Sequence, residues 1–435
     1  MRVNIIGCGP TGMTIAWELS KIPNMNIHVY EKKSGPGGSW WEPPDGTRNL
    51  HSIRALFPGS FVNTKDLFRE MGLRWSDYFV KMEKYDVFGP LTKNLKPMDY
   101  WALTKLSVKV LTFPEKFKKV SLKEAIGPVS KGAAKFLSAV TYNIDGVDWD
   151  IMTAYEFVKG YDYVALSSID TQRTSGAYMS HDMKKAVQAK GVRFHFNKEV
   201  LSVSYKSDGG HEVMFADSDS GLSGDLLVLC VDAGPARWLI GDNWGEFASE
   251  NLNRGKYGAV TVLLKYDRPI KLVSDLEIVA ETPWNIIADV LPDGYTVCCV
   301  LCNWKAINDV GPGALQDGLV KQLGLPKPKD TKICWGANWD GQQWRHDQTS
   351  CVLSTKGPLP FFGANPSVAL CGMMSDRSTP FASIEAAVEV GRRFTRNHFG
   401  VGNVKRPMLF TNVIILILIF SFIIINGRNW FKNKN

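Results

Sequence analysis

The chain is poor in the features that would place it in several large functional classes. Its eight cysteines fall at no framework spacing, and Cys298, Cys299 and Cys302 in YTVCCVLC face no second thiol pair. Neither a disulfide scaffold nor a metal site is expected, and those three cysteines read as strand core. Histidine is scarce, at seven residues, and no HExxH, Walker loop or Ser-His-Asp order occurs. Lys and Arg number 51 against 43 Asp and Glu, giving a net charge of +8, yet no basic run interleaves with aromatics. A nucleic-acid partner is therefore not expected, and anionic lipid headgroups suit the charge better. The opening MRVNIIGCGP has neither a basic n-region nor an apolar h-region, so no secretory signal peptide is expected. The cysteine usage points to a reducing compartment.

What is present is an ordinary globular composition, 45% hydrophobic and 22% charged over 435 residues. That length suits two or three lobes and a buried ligand. Near the end, MLFTNVIILILIFSFIIIN is apolar for about 18 residues, enough for roughly 27 Å of helix. Lys405 and Arg406 flank one side, and Arg428, Trp430, Lys432 and Lys434 the other. This pattern predicts a single-pass transmembrane helix over about 407–426, a lipid bilayer as partner, and a cytosolic body over residues 1 to about 400.

The other end carries the clearest organisation. Arg2–Ile6 reads as a buried strand, Gly7–Gly12 as a loop, Met13–Ser20 as a helix and Ile27–Glu31 as a second strand. Further on, TKDLFREMG (64–72) and Met179–Ala189 read as helices, the latter opened by Ser180. Asp225–Val231 reads as a fully buried parallel strand, and 259–266 and 295–302 as antiparallel strands. Ser367–Cys371 reads as a strand followed by a helix over 384–394, whereas 75–160 shows no clear motif.

Gly7-Cys8-Gly9-Pro10-Thr11-Gly12 is a GxGxxG set between a strand and a helix. The first glycine permits the tight turn, the second lets the backbone approach a pyrophosphate, and the third lets helix pack on strand. The amino end of the helix that follows presents unbonded N–H groups and a positive dipole end to phosphate. Glu31, at the end of the second strand, is placed to accept hydrogen bonds from ribose hydroxyls. Neither GPGAL at 311 nor GVGNV at 400 has the third glycine or a strand before it, so no second dinucleotide motif, and no nicotinamide-binding domain, is expected.

After Glu31 comes a second glycine pair, Gly37-Gly38, in EKKSGPGGSWW. With FNKEVLSVSY, DLLVLCVDAGPARWLI and LCGMMSDRSTPFASIEAAVEVGRRF, it makes the chain resemble the FAD-binding amine oxidase and phytoene desaturase superfamily. The resemblance implies a Rossmann-like α/β FAD-binding domain, discontinuous in sequence, with an α+β substrate domain. The FAD parts are expected at 1–60, 190–258 and 365–400, the substrate lobe at 61–189 and 259–364, and the tail with its membrane helix at 401–435. It implies FAD as cofactor, bound without a covalent link, and a small, lipophilic substrate. The cofactor residues it implies are Gly7, Gly9, Pro10, Thr11, Gly12, Glu31, Gly37, Gly38 and Ser39. Val200 follows at adenine, Gly372 and Asp376 near ribityl or phosphates, and the amides of Ile384 and Glu385 at the flavin pyrimidine.

Several positions depart from the family pattern. Thr261 stands where an amine oxidase has a lysine hydrogen-bonded through water to the flavin, and Lys265 lies four residues on. The two tyrosines that sandwich an amine are replaced: Ser383 precedes Ile384 and Val352 follows Cys351. Cys351 falls where a covalent flavin link would be, but without the surrounding glycines it reads as an ordinary thiol. Ser39 replaces an arginine, and Gly372-Met373 a glycine-acid pair. His51, in NLHSIRALFPG with Arg54, is a candidate for placing the ring or moving a proton. The expected activity is hydride transfer from a substrate C–H to flavin, with oxygen or another acceptor closing the cycle. A desaturase or isomerase on an isoprenoid-like substrate, and an inactive FAD-binding scaffold, are the alternatives.

Overall fold

A computed structural model describes the chain apart from residues 44–53, 84–91, 207–209, 241–258, 275, 280–281, 335, 347–356 and 415–435. The first strand, β1 (Arg2–Ile6), is almost wholly buried, as expected for a strand covered on both faces. The chain then enters helix α1 (Pro10–Leu19) and returns in β2 (Asn26–Tyr30), parallel to β1 with Val3 opposite Ile27. Three distant segments complete this sheet: Arg193–His195 beside β2, Leu226–Leu229 on the other side of β1, and Val368–Leu370 outermost. All four pairings are parallel.

Two layers cover the sheet. On one face lie α1, the helix Gly176–Gln188 and a closing helix, Ile384–Phe399. Gly391 brings the closing helix against α1, where an added methyl carbon would stand 2.9 Å from Thr14 Cβ. On the other face, an antiparallel meander (Val200–Tyr205, His211–Phe215, Ser218–Leu222) and the helix Ala233–Ile240 bury Val203, Val213 and Phe215 against Leu227 and Leu229. The helix after Thr174 begins at Gly176, earlier than its text suggests, because Ser175 and not Ser180 accepts the capping bond, from Ala177 N.

The second lobe is built on a five-stranded antiparallel sheet in the order Leu276–Val279, Ile286–Val290, Thr296–Leu301, Val260–Lys265, Asp330–Ile333. Alternation divides its side chains: Val260, Val262, Leu264 and Cys299 face the helix Pro312–Leu323. Leu263, Cys298 and Val300 face a helical layer drawn from the stretch without a sequence motif. That layer contains Pro97–Thr112, Lys131–Asp145 and Ala154–Val164. Helix caps mark these boundaries: Ser130 and Thr153 accept backbone bonds from Ala133 and Glu156, and Gly146 closes one helix at φ 64°.

The expected transmembrane helix is overturned. Among the described residues no helix is long and apolar enough to cross a membrane. Of the predicted span only 407–414 is described, with helix over 410–414, and 415–426 lies outside the described residues. The described start of the run is tied to the body: Thr411 N donates to Asp162 Oδ1 at 2.8 Å, Lys405 Nζ pairs with Asp66 at 2.6 Å, and Leu409 packs on the core. The single-pass membrane localisation and the cytosolic orientation derived from that helix fall with it. Apolar text alone does not separate a span from a segment whose first polar groups find partners on a folded surface.

Candidate functional site

The order of the parallel sheet opens a crevice. From β1 the chain passes through α1 to β2 on one side, while Leu226–Leu229 pairs on the other, so connections diverge at the carboxyl ends of these strands. Ligands of open α/β sheets bind at such a switch point. The glycine loop stands there, and its three glycines are needed for different reasons. Gly7 has φ +102°, and a Cβ on it would lie 2.4 Å from Cys230 O. A Cβ on Gly12 would lie 2.1 Å from Gly7 O. Gly9 is extended, at φ −78° and ψ 178°, and a Cβ there would meet only Gly38 Cα, at 3.7 Å. The fold requires glycine at the first and third positions; at the second it leaves an open approach to bare backbone.

The second glycine pair is folded onto the first. Gly37 N donates to Cys8 O at 2.8 Å, and a Cβ on Gly38, at φ +60°, would stand 3.0 Å from Gly9 Cα. Lys33 Nζ donates to Gly38 O at 3.3 Å and lies 4.9 Å from the Trp41 ring centroid. Ser39 is half-buried, and its carbonyl accepts from Arg54, whose guanidinium lies 3.8 Å over the buried Trp40 ring. Glu31, 8% exposed, closes the group. Its Oε2 accepts from Cys8 N at 2.9 Å and its Oε1 from Lys33 N at 3.0 Å. Pro10 occupies the first turn of α1, and the amides of Thr11 and Gly12 precede the first intrahelical bond, Met13 N to Gly9 O. Val200, half-buried, begins the meander close after Lys198, whose amide donates to Glu31 O.

The closing segment comes to the same edge of the sheet. A Cβ on Gly372 would lie 3.0 Å from Val231 O, next to the end of Leu226–Leu229. Asp376 is half-exposed and held by Arg393 at 3.1 Å and Lys118 at 3.6 Å, the latter from the second lobe. Ser383 caps the closing helix by accepting from Ala386 N, leaving the first-turn amides of Ile384 and Glu385 outside the helical ladder. The Glu385 side chain has a separate task. Its two oxygens accept from the amide and side chain of Asn63 and of Thr64, at 2.7–2.8 Å, and so cap the helix Val62–Glu70. Complete burial pushes its carboxyl up to about 7 against those four donors.

The remaining candidates do not converge there. Thr261 is 2% exposed within the antiparallel sheet, and its carbonyl accepts from Cys334 N at 2.8 Å. Lys265 is exposed at the end of that strand, opposite Thr296 and Asp330. His51 and Cys351 lie outside the described residues. Sequence reasoning also missed a buried charged group beneath the closing segment. Arg377, wholly buried, donates to Met373 O and Thr379 O and stands 3.9 Å from Glu156, while Asp145 accepts from Ala382 N at 3.1 Å. No local signal marks these residues, because their partners lie far away in the chain. Among the described residues no set of three or more His, Cys, Asp or Glu is placed to hold a metal.

A dinucleotide fits this crevice. Two glycine turns supply bare backbone and helix-end amides, Glu31 stands one strand away, and the path over Gly9 is one that a side chain would fill. Comparison with known proteins agrees. Residues 5–71 match the model of an NAD(P)-binding Rossmann-like domain, and residues 173–394, more than half of the chain, match that of the flavin containing amine oxidoreductases. A putrescine oxidase solved with putrescine superposes with a TM-score of 0.67 at 14% identity, covering 92% of this chain and 99% of that one. An oxidoreductase from Methanosarcina mazei gives 0.63 at 14% identity, with 90% and 99% covered. These two likenesses show the fold. No curated sequence matches significantly. With more than half its length matched by the family model and a dinucleotide crevice assembled from both ends of the sequence, the chain belongs to the flavin-containing amine oxidoreductases and is an FAD-dependent oxidoreductase.

Proposed function

We propose that the enzyme removes a hydride from a C–H bond of a small, largely apolar substrate, as a desaturase-like rather than an amine-directed oxidase, with oxygen or another acceptor closing the cycle. One observation carries this reading. The strand that would bring a lysine toward the flavin presents buried Thr261, and the nearest lysine on it, Lys265, is exposed at the far end. With no ionisable side chain at that strand position, the strand contributes position and exclusion of water rather than strong base catalysis.

Bound FAD supplies the two-electron acceptor. In this reading Glu31 holds the adenosine ribose, Val200 lies at adenine, and the amides of Gly9, Thr11 and Gly12 hold the pyrophosphate with the amino end of α1, while Gly7, whose own amide donates to Tyr30 O at 2.8 Å, shapes the turn. Gly37, Gly38 and Ser39 close over that group, and Gly372 lets the backbone of the closing segment pack directly on Val231 O and the Met374 side chain, which brings the segment to the crevice. Asp376 takes part only by exchanging its bonds to Arg393 and Lys118. The amides of Ile384 and Glu385 stabilise negative charge at the pyrimidine edge. Seven residues of helix, roughly 10 Å, separate this first turn from Gly391, where the closing helix crosses α1. That length suits the reach from a phosphate group to a flavin ring.

The test is anaerobic mixing of the yellow protein with amines, polyamines, carotenoid precursors and porphyrinogens, followed at the flavin absorbance. Bleaching by an apolar member and not by the amines is expected. Bleaching by amines alone overturns the substrate class, and a blank across the panel overturns catalysis in favour of a scaffold.

A further inference from the structure

The helix Lys131–Asp145 ends on an acid for which the reading above has no task. Asp145 is 1% exposed. One carboxyl oxygen, Oδ1, accepts from Ala382 N at 3.1 Å; the other, Oδ2, is buried and has no hydrogen-bond partner. Ala382 immediately precedes the cap Ser383, so this carboxyl lies against the amino end of the closing helix. The first amides of that helix are those assigned above to the flavin pyrimidine, and the inference rests on that assignment.

A carboxylate with a bare oxygen in a dry site is costly, and taking up a proton relieves the cost. Burial pushes the Asp145 carboxyl up to about 7, with Glu156 adding to the rise and Arg377 and the Ala382 amide opposing it. Its place as the last residue of its own helix, at the negative end of the dipole, acts in the same direction as burial. The charged groups facing it from neighbouring elements are Glu156, on the helix Ala154–Val164, and Arg377, on the segment before the closing helix. The acids of the closing helix are turned elsewhere: Glu385 to Asn63 and Thr64, and Glu389 to Ser378, Thr379 and Arg393. Asp148, just past the helix, bonds Ser138 and the Trp149 amide.

We propose that Asp145 balances charge at this helix end: as the flavin gains the two electrons of a hydride, the Asp145 carboxylate takes a proton from solvent and becomes the neutral acid, and reoxidation releases that proton. The substrate C–H bond supplies both electrons and one proton as hydride. The proton on Asp145 comes from water, and the oxidation state of the side chain does not change. A nearby negative charge favours the neutral acid, which is the direction the coupling requires.

The experiment is the midpoint potential of the FAD-loaded protein against pH, by equilibration with reference dyes, for the wild type, Asp145→Asn and Glu156→Gln. The slope gives the number of protons taken up per electron pair. In the wild type it rises by about one near neutrality and falls back on either side. Asp145→Asn keeps the acceptor for Ala382 N and flattens the profile, while Glu156→Gln removes a neighbouring negative charge and moves the steep region to lower pH. Equal slopes in the wild type and Asp145→Asn overturn the inference. If Asp145→Asn does not fold, a steep region unmoved by Glu156→Gln overturns it instead. A colourless wild type defeats the FAD assignment before any slope is read, so the two failures are distinct.

Discussion

Replacing Gly9 by alanine separates what the glycine loop does for the fold from what it does for a ligand. The backbone there is extended, at φ −78° and ψ 178°, which any residue adopts, and the added carbon meets only Gly38 Cα at 3.7 Å, an ordinary contact. The folded chain therefore accepts the methyl group. Loss of chain freedom in the unfolded state favours the variant by about 0.4–1 kcal/mol, so the melting temperature of FAD-stripped protein should hold or rise slightly. FAD affinity should behave differently, because in the proposed binding mode the methyl group occupies the path by which the pyrophosphate reaches the loop amides. Losing one or two charge-assisted hydrogen bonds, at about 1.5 kcal/mol each, weakens binding roughly tenfold to hundredfold. Quenching of FAD fluorescence on titration with stripped protein, with melting curves alongside, measures both quantities. Wild-type affinity in the variant would refute the assignment of this turn to the cofactor. A variant that no longer melts cooperatively would refute the reading of Gly9 as structurally neutral.

Three further outcomes follow from the structure. Arg392→Met removes the guanidinium whose bonds to Glu18, Asp66 and Glu70 measure 2.7–3.0 Å, while Lys21 and Lys405 stay on Glu18 and Asp66, and should cost about 3 kcal/mol in urea unfolding; a loss under about 1 kcal/mol contradicts this. His28 is held well below its ordinary value, at about 4, by burial and then by Arg2 and His195, with its ring nitrogens 3.0 Å from His195 and Asn26. The unfolded chain then binds more protons, so stability falls as pH drops from about 6.5 toward 4, and His28→Gln should lessen that slope; an unchanged slope refutes it. Lys265→Ala should leave the rate of flavin reduction by substrate within about twofold, because the side chain is exposed at the strand end; a loss beyond about tenfold would restore it as a catalytic residue.

The parts of this molecule legible in the sequence are those whose physics is local. β1, the glycine turn, α1 and β2 follow one another along the chain, so spacing alone places them. Leu226–Leu229 and Val368–Leu370 are recognisable as apolar runs, but their places on either side of the crevice come only from pairing. The helices over 97–164 have weak text because much of their burial comes from an antiparallel sheet more than a hundred residues further on. Glu385 has the sequence appearance of a first-turn acid, yet it caps a different helix, through Asn63 and Thr64. Asp145 and Arg377 are charges in a dry interior, and nothing around them in sequence distinguishes them from surface residues. At the C-terminus the error runs the other way. A long apolar run suggested a bilayer, whereas its described start is bonded to Asp162.

In the proposed binding mode FAD lies over the Gly9–Gly38 contact. The visible spectrum of the purified, folded protein tests it, taken before and after acid precipitation and after soaking in excess FAD. A flavin spectrum whose yellow colour moves to the acid supernatant is predicted. Folded protein that is colourless and remains so after the soak would contradict it.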